Sequence, residues 1–237
     1  MFFLMSIFSE GLSSFPSWWH GVFNPDWLTA IGTIGATVVA LALAAQSWIR
    51  SFFTHPELQI EVSQFPPYSD RTTWINGAAV HYYRLSVENK SGTIAQDVHV
   101  FVDSVDKLDE DGRAVPAPRF RPMFLKWAHL SAITMPALWK DIPRFCDLLH
   151  ITDPDRKHDC GETLSSVPRG RGVMCLDLEA KANSLGHLLE PGVYRITLRV
   201  AATNCSPCKV VIQVNYPVGV WHRDEDQMQK HISIEKL

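Results

Sequence analysis

Residues 27–49 read WLTAIGTIGATVVALALAAQSWI, and this stretch decides how the chain is organised. It contains no charged side chain. An α-helix rises 1.5 Å per residue, so about 20 apolar residues cross a hydrocarbon core of about 30 Å. Trp27 and Trp48 stand near its two ends, where the interfacial aromatic belt of a spanning helix falls. The stretch predicts a transmembrane helix over 27–50, and everything after it is expected to work at a membrane.

One face of this helix is built from small residues. Gly32, Ala36, Ala40 and Ala44 recur at every fourth position, the spacing that lets helix backbones approach closely in lipid. Thr29, Thr33 and Thr37 form a polar stripe beside them. Two readings stand: an anchor rich in small residues, or a face for self-association in which the threonines and alanines line a narrow pore. The span offers no ring of charge, so ion selectivity would need another source.

Before the span there is no Lys or Arg, and Arg50 follows it at once. The positive-inside rule then places the N-terminus outside and the larger domain in the cytoplasm. A cleavable signal peptide is the rival, because ALAAQS offers a small-residue cleavage site, but the basic n-region of such signals is missing. Residues 1–26 hold an apolar start, a polar break and an aromatic cluster. Phe2, Phe3, Trp18 and Trp19 suit an interfacial wedge, a cover over a pore mouth, or a loose tail.

After a linker at 51–56, residues 57–221 read as one β-rich domain. Leu58, Ile60 and Val62 alternate, as do Val98, Val100 and Val102, and Asn89-Lys90-Ser91-Gly92 is a turn signal between such runs. GVMCLDLEA, PGVYRITLRVAA and KVVIQVNY are further short β-branched runs bounded by turn residues. The expected fold class is mainly β: a transmembrane helix followed by an immunoglobulin-like antiparallel β-sandwich with a long insertion. Pro191-Gly192-Val193-Tyr194 resembles the tyrosine-corner setting of such domains. The insertion would run from the third strand to Gly172, with short helices around PALWKDIPRFCDLLHI. Residues 222–237 are expected to form a polar helix or tail.

The insertion carries the most suggestive chemistry. No acidic residue occurs from Gly112 to Lys140, while Arg113, Arg119, Arg121 and Lys126 do, interleaved with Phe120 and Trp127. Cations neutralise phosphates and aromatic faces stack bases. Arg169 and Arg171 flank a glycine, where backbone N–H groups can also meet phosphate. These eight residues are the candidate ligand set, for a nucleotide or short oligonucleotide. The alternatives are a basic surface on anionic lipid, with the aromatics in the core, and a protein partner.

Other chemistry is sparse. The net charge of −3 does not suggest a general polyanion binder or contact with duplex nucleic acid. Five scattered cysteines suit a reducing compartment better than a disulfide framework. Cys205-Ser206-Pro207-Cys208 lacks a second ligand pair for structural zinc and reads as a hairpin, so no metal or cofactor is expected. Asp153, Asp155, His158 and Asp159 read as a solvated turn. The chain has no Gly-rich phosphate loop, no HExxH and no GxSxG, so no catalytic residues are assigned.

Several segments together resemble a family of small bacterial membrane proteins. These are the W-x3-IGTIGA span start at Trp27 to Ala36, FLKW at Phe124 to Trp127, RFCDL at Arg144 to Leu148, the strand from Pro191 to Asn204, and Trp221 followed by acidic residues. The design is similar to that of Hailong-type anti-phage membrane effectors. The resemblance implies a homo-oligomer in the bacterial inner membrane that opens a channel when it binds an oligonucleotide made by a partner nucleotidyltransferase. The alternative is a membrane-tethered interaction module without a channel.

Overall fold

The computed structural model describes residues 25–53, 55–130, 132–181 and 183–237. The wedge expected from Phe2, Phe3, Trp18 and Trp19 lies outside these residues. The chain divides into two units, Met1–Phe53 and Thr54–Leu237, each described by itself.

In the first unit, helix α1 runs over Pro25–Phe53. Proline is tolerated at a helix start because the first N–H groups have no intrahelical partner. The Thr33 and Thr37 hydroxyls donate to the carbonyls of Thr29 and Thr33, each at 2.8 Å. Bonding back to the preceding turn satisfies a hydroxyl inside the helix, as an apolar surrounding requires. The window Thr29–Gln46 is long and apolar enough to cross a membrane, and none of it is buried. A Cβ added at Gly32 or Gly35 would meet nothing within 4 Å among the described residues.

The second unit is built on two antiparallel sheets. The first sheet takes β1 (Leu58–Val62), β2 (Ser69–Thr73), β3 (Ala79–Asn89), β7 (Lys126–Trp127), β9 (Arg144–Thr152), β10 (Met174–Leu176) and β11 (Leu188–Leu189). Its order is β1-β3-β9-β10-β11, with β2 on β3 and β7 on β9. The second sheet takes β4 (Ala95–Leu108), β5 (Ala114–Pro116), β6 (Met123–Phe124), β8 (Met135–Leu138), β12 (Gly192–Ala202), β13 (Cys205–Tyr216) and β14 (Ser233–Lys236). Its order is β14-β13-β12-β4-β5, with β6 and β8 on β4.

The period-two alternation of the sequence explains the core. Val98, Val100 and Val102 of β4 are fully buried, together with Ile196, Leu198 and Val200 of β12. They share one hydrophobic cluster with Ile60, Leu85 and Val87 of the other sheet. Fully burying one such side chain contributes about 1.5–3 kcal/mol. The chain changes sheets between β3 and β4 through the turn read from the sequence. Asn89, wholly buried, donates to the carbonyls of Thr93 (2.6 Å) and Leu138 (3.1 Å) and accepts from Ser91.

Three expectations are corrected. The segment PALWKDIPRFCDLLHI forms no helix but supplies β8 and β9. Pro143 breaks any helix there, and the apolar run after it is buried on both faces between β3 and β10, so it carries no alternation to read. The long insertion is therefore largely part of the two sheets, and the irregular crossing that remains is 153–173. The C-terminal segment is helical only as α2 (Glu225–Met228), capped by Asp224, whose side chain accepts from the Gln227 amide. It then forms β14, where Ile234 pairs with Val214, so the β-domain extends past residue 221.

Candidate functional site

The expected ligand residues are spread over several environments. Trp127 is 1% exposed within the shared core, so its ring is no stacking face for a ligand; its role there is packing. Phe120 is half-buried against the same core. Arg113 is exposed and pairs with Asp111 at 3.5 Å. Arg121 is exposed, and Lys126 is half-buried on β7.

Arg119 and Arg171 are brought closer to one another's setting. Arg119 lines a cavity of about 430 Å³ with Lys107, Ser165, Ser166, Ser184 and Glu190. Arg171 lines a cavity of about 400 Å³ that shares Ser166 and Glu190 as walls. Arg119 has φ 68°, and its carbonyl packs on Gly186, where any Cβ would collide with it. Within these walls the Lys107 ammonium meets Glu190 at 3.1 Å. Hydrogen bonds from Ser166 and then Lys107 hold the Glu190 carboxyl below its usual range. Glu190 offsets one of the three cations, so the adjoining cavities keep cationic character. Arg169 lines a separate cavity of about 330 Å³ with Lys157 and His158.

A second group, unmarked by any sequence motif, lies on the outward face of the first sheet. His150 on β9 and Cys175 on β10 are directly opposite partners in the ladder. Opposite partners project side by side on one face. Two residues beyond each come Thr152, at the end of β9, and Asp177, just past the end of β10. The crossing 153–173 lays Glu162 over them. His150 is 2% exposed and Glu162 is 1% exposed.

The hydrogen bonds assign the protons. His150 Nδ1 donates to both Asp177 carboxylate oxygens at 2.9 Å, and Nε2 meets Glu162 Oε1 at 3.0 Å. The other Glu162 oxygen accepts from the Thr152 hydroxyl at 2.7 Å, and Lys181 Nζ stands 3.4 Å from Oε1. Burial works to lower the His150 pKa, but the Asp177 charge overrides it and the net position is well above the usual imidazole value. Burial likewise works to raise Glu162, and its bonds to His150 and Thr152 bring it below the carboxylate range. Burial pushes the Cys175 thiol up. Trp74 and Tyr82 pack on the imidazole with ring centroids at 5.3 and 5.2 Å.

The Cys205 and Cys208 pair sits on β13, opposite Ala202 and Val200 of the β12–β13 hairpin. Asp153 and Asp159 belong to polar turns, and Asp159 pairs with Arg156 at 2.6 Å. Comparison of the chain with known protein families, curated proteins and solved structures returned no match.

Proposed function

We propose that this chain is a homo-oligomeric, single-span membrane effector whose β-domain senses an anionic ligand, a nucleotide or short oligonucleotide. The observation that carries the reading is the window Thr29–Gln46, uncharged, apolar on average and with none of it buried. An apolar helix of that length is accommodated by lipid and by copies of itself. The small-residue face of Gly32, Ala36, Ala40 and Ala44 supplies the contact between copies, with Thr29, Thr33 and Thr37 beside it. The two sheets over one core are assigned to the immunoglobulin-like sandwich class. The domain is placed on the cytoplasmic side of a bacterial inner membrane. The Arg50 asymmetry and five free cysteines support that side.

The ligand is assigned to the adjoining cavities at Arg119 and Arg171. Ligand binding shifts the assembly toward an open span only by its preference for the open arrangement over the closed one. The resemblance to Hailong-type effectors supports an oligonucleotide made by a partner enzyme and an outcome in channel opening. Labelled linear and cyclic oligonucleotides, titrated into the full chain in detergent, test the site. Arg119→Glu combined with Arg171→Glu is expected to weaken binding at least about ten-fold, since each charge-assisted contact contributes about 1.5–3 kcal/mol. The circular dichroism of that variant should be unchanged. Undiminished binding would remove the assignment.

A membrane-tethered interaction module is the second reading. The dispersal of Arg113, Arg121 and Lys126 away from these cavities favours it, because a broad basic surface suits an extended partner. A monomer in detergent that leaks no ions under any condition is its signature.

A further inference from the structure

We propose that His150, Glu162 and Cys175 form a binding site for a zinc-class divalent metal ion, with the crossing 153–173 pinned to the sheet by the bound ion. The inference is independent of the function proposed above. One ligand atom from each residue can be chosen so that all lie within 4.8 Å of one another, and all three residues are buried. In a tetrahedral zinc site, bonds of about 2.0–2.3 Å put ligand atoms roughly 3.4–3.8 Å apart. His150 Nε2 and Glu162 Oε1 already stand 3.0 Å apart, so the irregular crossing that carries Glu162 has only to give way by a few tenths of an ångström to seat an ion between them.

Three observations favour a metal over a coincidence of polar groups. The first is the donor set. Imidazole, thiolate and carboxylate together suit zinc, whereas calcium and magnesium select oxygen alone. The second is the orientation of His150. Its Nδ1 is held by Asp177 at 2.9 Å, which leaves Nε2 toward Glu162, and a ligating histidine characteristically gives its other N–H to a carboxylate. Thr152 holds the second Glu162 oxygen in the same supporting way, at 2.7 Å.

The third observation is charge. An entering divalent ion displaces one proton from His150 Nε2 and one from Cys175 Sγ, so two positive charges replace two protons. The buried group keeps its net charge, and Lys181 and Asp177 need not change state. Lys181 is 57% exposed and can swing off Glu162 as the ion arrives.

The test uses the full chain in detergent, stripped with chelator and titrated with Co²⁺. The expected result is one Co²⁺ per chain, with a sulfur-to-cobalt charge-transfer band that Zn²⁺ abolishes. Cys175→Ser should lose the band, and His150→Gln should bind at least ten-fold more weakly. The double variant Cys205→Ser, Cys208→Ser should keep the band. X-ray absorption of the zinc-loaded wild-type chain guards against variants that misfold, and should show one sulfur among nitrogen or oxygen neighbours. Absence of saturable binding, a band that survives in Cys175→Ser, or a zinc shell with no sulfur or with two would overturn the proposal.

Discussion

Asn89 shows how a single side chain can join two sheets. Its amide uses both donors on the Thr93 and Leu138 carbonyls and its oxygen on Ser91. Asn89→Asp keeps the shape but turns two donor contacts into acceptor against acceptor. It is expected to cost about 2–4 kcal/mol, since a buried polar group left unsatisfied costs about 1–3 kcal/mol and charge adds to it. Urea unfolding of the full chain in detergent measures this, and a loss under 1 kcal/mol would contradict the account. His81 is a second buried polar residue: its Nε2 donates to the His222 carbonyl at 2.7 Å and its ring packs edge-on against Trp221. Burial lowers its pKa below 6.5, opposed by the His222 bond and the nearby Glu225. The unfolded chain takes up that proton from about pH 6.5 downward and the folded chain only at lower pH. The stability tied to neutral His81 is therefore whole above about pH 6.5 and lost as pH falls through the folded pKa. His81→Gln, which still donates to the carbonyl and does not titrate, should show a shallower loss of stability below pH 6.5. Parallel curves for the two proteins would show that His81 is not the group responsible.

Strands that alternate, such as β4, were legible in the sequence, as was β10 although it is buried throughout; β9 was not. Val98, Val100 and Val102 announced β4, and Pro191 to Asn204 announced β12, because one side of each packs on the core while the other faces out. Arg144–Thr152 is flanked by β3 and β10 and covered by the 153–173 crossing, so its apolar run carries no period. Reading it as helix hid the cross-strand pairing of His150 with Cys175, and with it the buried group of His150, Glu162 and Asp177. The signal that would have found it is a matched pair of spacings, His150-x-Thr152 and Cys175-x-Asp177, on strands placed side by side. Trp127 illustrates the opposite error: an aromatic among cations looked like a stacking surface, yet Leu125 and Trp127 are both buried in the core. Within α1, composition was enough to read a helix long and apolar enough to cross a membrane. Gly32→Leu should break close helix contact and reduce the size of the detergent-solubilised assembly while oligonucleotide binding persists. Light scattering after size exclusion checks it; an unchanged mass would remove the small-residue face from the assembly.

At the scale of the whole molecule, a helix long and apolar enough to cross a membrane is followed in sequence by a β-domain that carries adjoining cationic cavities. Arg119 and Arg171 were visible in the sequence as cations beside glycines and aromatics. Their sharing of Ser166 and Glu190 as cavity walls was not, because it arises from loops that follow different strands of both sheets. The central claim is that ligand occupancy of this domain changes the state of the membrane span. The most direct measurement is ion or dye efflux from liposomes holding the full chain, with and without a panel of cyclic and linear oligonucleotides. The account predicts efflux that rises with one ligand class and is abolished in the Arg119→Glu, Arg171→Glu variant. Inserted, folded protein that releases nothing with any ligand would contradict it and leave the tethered interaction module in its place.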